Sequence, residues 1–238
     1  MTSSTSTYPE LTRPDAGTIL VSEWLVGTPE RQRAVIRATL DAWRNLPVPE
    51  AFLSLNAYAG TDGDSVLFYA QWTSDEAHLE FARAHRPGLV RAIDDELPGI
   101  ERPGLVRYRL YRSGGIGGGE HRAPGCIVAV SIGADGPDRA RAWVDTVFDA
   151  LEESGERLHP GGISGHFHIS TDGTRILNYA EWVDEESHRE SVAAGGGSIG
   201  RGPAWDRVRN TPGIEPLGLR RYTFEGSVTR GSRPADRP

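Results

Sequence analysis

Thr171-Asp172-Gly173, then Asn178-Tyr179-Ala180-Glu181-Trp182, then His188: this stretch restates, 110 residues later, Thr61-Asp62-Gly63, Phe68-Tyr69-Ala70-Gln71-Trp72 and His78. Working outward, Gly17, Ile19, Pro29, Arg31, Arg33, Ala34, Asp41 and Ala42 recur 108 residues on as Gly125, Ile127, Pro137, Arg139, Arg141, Ala142, Asp149 and Ala150. Towards the other end, Pro98-Gly99-Ile100, Gly104, Leu105, Arg107 and Tyr108 recur 114 residues on as Pro212-Gly213-Ile214, Gly218, Leu219, Arg221 and Tyr222. Insertions of 2 and then 4 residues in the second copy account for the drift. Matches kept in one order mark a tandem repeat. The reading is one unit over 17–112, a second over 125–226, a glycine-rich linker at 113–124, and disordered tails at 1–16 and 227–238.

Each copy reads as β-α-β-β-α-β. Residues 18–26 alternate as a strand, and Pro29 starts a helix at a position where its missing N–H costs nothing. Ile36, Leu40 and Trp43 recur at helical spacing, as do Val144, Phe148 and Leu151. Residues 51–60 and 64–72 flank an Asp-Gly turn, the mark of a hairpin. Thr73 with Glu76 predicts a capping box opening the helix of His78, and 104–112 close the unit as a strand. This order is that of an α+β, ferredoxin-like unit. Helices on one face of such a sheet leave the other bare. The two copies are therefore expected to pack their sheets into an intrachain α/β barrel, giving a monomeric pseudo-dimer, with a homodimer as the alternative.

Composition narrows the chemistry. The 238 residues carry 33 acidic and 26 basic side chains, and every basic one is arginine. Without lysine there is no Schiff base, no pyridoxal phosphate linkage and no Walker-type phosphate loop. A net charge of −7 argues against nucleic acid as a partner. The single Cys126 excludes an internal disulfide and a thiolate zinc cluster. Neither the opening residues nor any later segment offers an apolar run of membrane-spanning length, so a cytoplasmic protein with no membrane partner is expected.

Asn178 and Trp182 lie four apart on a strand and so share a face, over which His188 can reach from the next helix. An amide, an indole and an imidazole around an apolar space suit a flat aromatic substrate. Amide and indole N–H groups bond phenol or carbonyl oxygens, and the imidazole is expected to move a proton near neutral pH. The first copy offers Phe68, Trp72 and His78 as substrate-binding residues, a set without the amide and hence a degenerate pocket. His166 and His168 alternate onto one face with Ser164 and are assigned to substrate binding rather than to a metal. Their relation to Trp182 turns on the hairpin: a three-residue loop pairs His166 with Asn178, and a two-residue loop puts them on opposite faces. The glycine-rich segment 194–203 reads as a lid, with Arg201 reaching an acidic or phenolate group. Arg107 and Arg221 read as solvated or interface side chains.

The pattern Asn-Tyr-Ala-Glu-Trp at 178–182, an acidic helix start and a polar ring six residues after the tryptophan resemble the antibiotic biosynthesis monooxygenase family, over both copies. Those are dimeric α/β-barrel proteins with ferredoxin-like subunits. The resemblance implies an oxygenase acting on a polycyclic aromatic polyketide, a phenol or anthrone, with dioxygen as co-substrate and no metal or tightly bound prosthetic group. It puts Asn178 and Trp182 at the family's reactive positions and His188 where a tyrosine often stands. A reduced-flavin-dependent ring-cleaving oxygenase of the same architecture is the first alternative. A non-catalytic small-molecule binding protein is the second.

Overall fold

Two glycines explain the first match of the repeat. A Cβ on Gly17 would lie 1.9 Å from the carbonyl oxygen of Thr73, and one on Gly125 would lie 2.2 Å from that of Val183. Only glycine lets the chain enter each unit so close to the strand end beside it. The computed structural model describes residues 8–115, 123–154, 160–195 and 200–230. In order these form β1 (Thr18–Leu25), α1 (Pro29–Arg44), β2 (Phe52–Gly60), β3 (Ser65–Trp72), α2 (Asp75–Glu96) and β4 (Glu101–Gly115). The second copy gives β5 (Cys126–Ala134), α3 (Pro137–Ser154), β6 (Gly162–Ser170), β7 (Arg175–Trp182), α4 (Glu185–Gly195), α5 (Pro203–Arg209) and β8 (Ile214–Thr229). The α+β, ferredoxin-like class read from the sequence is the observed one.

Local chemistry sets the element ends. Thr28 caps α1 by accepting from Arg31 N at 3.3 Å, with Pro29 in the first turn. The cap of α2 is Ser74, accepting from Ala77 N, and not Thr73 as the capping-box reading expected. The hairpins β2–β3 and β6–β7 close on four-residue turns, 61–64 and 171–174. Gly63 and Gly173 take φ of 82° and 73°, and Asp172 Oδ1 accepts from Ser170 Oγ, Thr174 N and Thr174 Oγ1. The helix α5 was not foreseen. In the second copy the counterpart of the long α2 is broken by the glycine-rich insertion, and Pro203 restarts it.

The chain divides into two compact units, one of residues 1–108 with 223–238 and one of 109–222, so β4 and β8 each contribute to both. In the first unit the strand order is β4, β1, β3, β2 and then the end of β8, antiparallel through β4–β1–β3–β2. In the second it is β8, β5, β7, β6 and then the end of β4, antiparallel through β8–β5–β7–β6. Because β4 continues to Gly115 and β8 to Thr229, residues 113–115 and 227–229 are strand rather than linker and tail. Residues 8–16, expected as disordered tail, pack on the first unit: Leu11 is buried, Tyr8 stacks on Phe224 at 4.3 Å, and Glu10 O accepts from Gln71 Nε2. The rest of the expected linker and tails, 116–122, 1–7 and 231–238, lies outside the described residues. No helix among the described residues is long and apolar enough to cross a membrane.

In each unit the helices cover one face of the sheet with apolar packing. One continuous cluster fills the first unit, from Val35 and Leu40 on α1 through Phe68 and Trp72 on β3 to Phe81 and Ile93 on α2. Among the described residues of the second unit, two clusters share Val130 as a partly buried neighbour. One gathers α3, α5 and the far end of the sheet around Trp143, Phe167 and Trp205, and the other holds Cys126, Val128, Ala180 and Trp182.

Candidate functional site

Asn178 pairs across β5 and β7 with Val130, which packs against both clusters. On β7 Asn178 shares the helix-covered face with Ala180 and Trp182, and its Oδ1 is buried with no hydrogen-bond donor. A buried acceptor left unmet costs on the order of 1–3 kcal/mol, so a polar group without a structural partner is held here. Two equivalent positions carry smaller residues than in the first unit: Gly165 stands where that unit has Leu55, and Ser191 where it has Phe81.

His188 comes up from α4 onto this face. Its ring meets that of Trp182 edge-on, with centroids 4.9 Å apart, and it is 1% exposed. Arg221 on β8 donates from Nε to His188 Nδ1 at 2.8 Å. A guanidinium has only protons to offer, so Nδ1 must be the acceptor and the ring proton must sit on Nε2. Burial, with Arg221 and Arg189 nearby and only Glu185 opposing, pushes the His188 pKa down to about 4. The expected proton carrier is thus a neutral donor whose basic nitrogen is already taken.

The first unit builds the same device. Arg107 on β4 reaches His78 Nδ1 at 2.9 Å, lies 3.7 Å from Asp75, and the His78 ring meets Trp72 edge-on at 5.3 Å. Burial and Arg107 lower the His78 pKa to about 4, with Asp75 opposing. Asp75 and Glu185 are equivalent in the repeat, as are Arg107 and Arg221. The sequence reading missed these two contacts, having placed both arginines in solvent or at an interface. The signal that would have found them is that each recurs in step with its histidine.

Phe68, Trp72 and His78 are brought together as expected, around a cavity of about 120 Å³ between the sheet and helices α1 and α2. Phe68 keeps the amide's place apolar there. The register settles the hairpin question: Phe167 pairs with Asn178 and His166 with Tyr179. A four-residue turn has the parity of a two-residue one, so His166 and His168 face away from Asn178, Trp182 and His188. Of the two alternatives the sequence left open, the observed register is the one that separates these histidines from that face. On that far face Ser164 donates to Glu181 and bonds His166 Nε2, while His166 Nδ1 meets Ser113 Oγ at 2.9 Å. Burial works against charge on Glu181, yet the bonds from His166 and Ser164 hold its pKa below the usual carboxylate value. His168 is fully buried beside His166, its Nδ1 3.0 Å from the His166 carbonyl, and burial lowers its pKa to about 3. Among the described residues no three His, Cys, Asp or Glu side chains are grouped to hold a metal ion. Arg201 is exposed ahead of α5, and residues 196–199 of the expected lid lie outside the described residues.

No protein-family model matches the sequence. Tetracenomycin-F1 monooxygenase of Streptomyces glaucescens is 30% identical over 67 residues, 28% of this chain and 59% of that protein, so the match spans about three fifths of the relative's length. The crystal structure of an anthrone oxidase-like protein superposes with a TM-score of 0.66 at 16% identity, covering 94% of this chain and 98% of the other. The monooxygenase from the gene ActVA-Orf6 of Streptomyces coelicolor, crystallised with nanaomycin D, is 29% identical over 42% of this chain and 91% of its own, with a TM-score of 0.35.

Proposed function

We propose that this chain is an oxygenase of the antibiotic biosynthesis monooxygenase type, acting on a polycyclic phenol or anthrone in polyketide antibiotic biosynthesis, with its chemistry at Asn178, Trp182 and His188. The observation that carries this reading is the buried, unmet Asn178 Oδ1 on the helix-covered face of the second unit, which also carries a histidine whose proton Arg221 fixes on Nε2. An acceptor and a donor on one apolar face match a substrate that has both a phenol O–H and a carbonyl or phenolate oxygen. The phenol donates to Asn178 Oδ1, His188 Nε2–H donates to the oxygen that becomes anionic, and Trp182 supplies a flat apolar wall.

Such a substrate is its own reductant. Fixed donors that favour its enolate or phenolate let the proton pass to solvent and the electron-rich ring react with dioxygen. For an anthrone the methylene carbon gains one oxygen atom of dioxygen, and its two hydrogens leave with the other oxygen as water, giving the quinone. The protein's part is to hold the ring, exclude water and stabilise the anion, with no metal or tightly bound prosthetic group. In the test, metal-stripped protein is incubated with an anthrone in air, with and without flavin and a flavin reductase, while quinone absorbance is followed. Turnover without flavin is expected. Turnover only with reduced flavin would replace this reading by that of a flavin-dependent oxygenase. Tight binding without turnover would leave a binding protein.

A further inference from the structure

The far face of the second sheet carries a chain of polar groups that the chemistry at Asn178 does not use. It runs through Ser113 near the end of β4, His166 and Ser164 on β6, and Glu181 on β7, all within the second unit. Its hydrogens have one arrangement. Glu181, held below the usual carboxylate value, can only accept, so the single hydrogen of Ser164 goes to it. Ser164 Oγ must then accept from His166 Nε2, 2.9 Å away, and the Glu181 carboxylate lies 3.6 Å from that same nitrogen. A neutral imidazole with its proton on Nε2 presents a lone pair at Nδ1, and Ser113 Oγ, 2.9 Å off, donates to it. The result is a hydroxyl on a basic nitrogen whose other side is turned toward a carboxylate. Nucleophile, base and orienting group stand in this relation in acyl transfer. His166 is 8% exposed and Ser164 and Glu181 are half-buried, whereas Ser113 is exposed, so the chain opens to solvent at its nucleophilic end. The repeat supplies a contrast. In the first unit Ser227 stands at the place of Ser113 and Ser54 at that of Ser164, but Asn56 replaces His166 and Gln71 replaces Glu181. Both serines are kept, and the groups that take a proton give way to amides that do not.

We propose that Ser113 is a nucleophile with His166 as its general base, giving the second unit a further activity, acyl transfer from an activated carboxylic ester. As Ser113 Oγ bonds to the ester carbonyl carbon, its proton passes to His166 Nδ1. The imidazolium so formed is steadied by Ser164 and Glu181 at Nε2. The ester C–O bond breaks, the leaving alcohol takes the proton from Nδ1, and the acyl group stays on Ser113. Water then adds to the same carbonyl carbon and gives its proton to Nδ1. The carboxylic acid leaves, and Ser113 Oγ recovers the proton. Nothing is oxidised or reduced. Glu181 acts through His166 and is a positioning residue. The activity is read by acylation alone and does not depend on the chemistry assigned to Asn178.

The test treats the full chain with a fluorophosphonate, which loses fluoride to an activated serine hydroxyl, and locates the adduct by peptide mass spectrometry. Ser113 should carry it, and Ser164 and Ser227 should not. The chain should also hydrolyse p-nitrophenyl acetate, and Ser113→Ala should lower that rate about tenfold or more. The double variant His166→Asn with Glu181→Gln copies the first unit's amides and should lose the labelling. Glu181→Gln alone should cut the maximal labelling rate about tenfold and leave the probe concentration at half-maximal rate unchanged. Circular dichroism checks that each variant is folded. The proposal is overturned by an unlabelled Ser113 where a serine esterase control is fully labelled, or by ester hydrolysis unchanged in Ser113→Ala. Wild-type labelling in the folded double variant or in Glu181→Gln, or labelling of Ser227 as fast as that of Ser113, would overturn it as well.

Discussion

The two units begin from one pattern and part at a few positions. In the first, Leu55, Phe68 and Phe81 knit helices and sheet into one apolar cluster with a small void. In the second the equivalents are Gly165, Asn178 and Ser191, and the described core forms two clusters with an unmet amide on the helix-covered face. Both keep the tryptophan, the histidine and the arginine that fixes the histidine's tautomer. The difference teaches that the donor device is shared, whereas the amide acceptor on the helix-covered face belongs to the second unit.

The sharpest way to break this contrast is to rewrite the second unit as the first. Asn178→Phe replaces the amide by the first unit's ring, and turnover should fall about a hundredfold or more, the scale of misplacing a substrate held for reaction. Stability should hold or rise, because packing replaces a buried acceptor that had no partner. Quinone formation and thermal melts measure the two effects. Turnover within about threefold of wild type would move the chemistry out of the second unit.

A smaller effect tests the shared part. Arg221→Met frees His188 Nδ1, and turnover should drop about tenfold as the Nε2–H form loses its hold. Arg221→Lys keeps a donor and should recover part of the loss. Nitrogen NMR reads the tautomer without reference to activity: in the wild type Nε2 stays protonated and Nδ1 unprotonated from pH 5.5 to 8. A mixed tautomer in the wild type would sink the idea, as would an unchanged one in Arg221→Met.

The same histidines set how stability depends on pH. His78 and His188 have folded pKa values pushed down to about 4 and His168 to about 3, below the ordinary value near 6.5. Between those limits the unfolded chain binds more protons than the folded one, so acid favours unfolding. Their contribution is fully present above about pH 6.5 and is lost as pH falls towards 4 and below. Melting temperature should therefore be flat from pH 7 to 8.5 and fall steadily below 6.5. A melting temperature constant down to pH 4.5 would contradict the buried, neutral state of these rings.

Sequence disclosed the repeat, the ferredoxin-like order and the shared face of Asn178 and Trp182, because insertions leave matches in order and a strand's period is two. Three things lay beyond it. The parity of the hairpin turn depends on where pairing stops, at Ser170 and Arg175, and Thr171-Asp172-Gly173 fits more than one answer. The break of the last helical stretch into α4 and α5 follows from an insertion whose conformation no pattern dictates. Arg107 and Arg221 are distant in sequence from His78 and His188, so their pairing appears only once β4 and β8 lie beside the helices.

The smallest expected effect concerns the face that the register removed from the site. Ser164, His166 and Glu181 form in the second unit the network that Ser54, Asn56 and Gln71 form in the first, where Asn56 Nδ2 donates to Ser54 Oγ and Ser54 Oγ to Gln71 Oε1. The ionisable version gives way to an amide version of the same connectivity. The double variant His166→Asn with Glu181→Gln should therefore fold with stability within about 1 kcal/mol of wild type, since both partners change together and no lone charge stays buried. Either single change should cost more than the pair, because it leaves the other partner mismatched. Turnover should stay within about twofold, as neither side chain faces Asn178. A tenfold loss in a folded double variant would return His166 to the substrate's surroundings and make the two faces of the second sheet parts of one site.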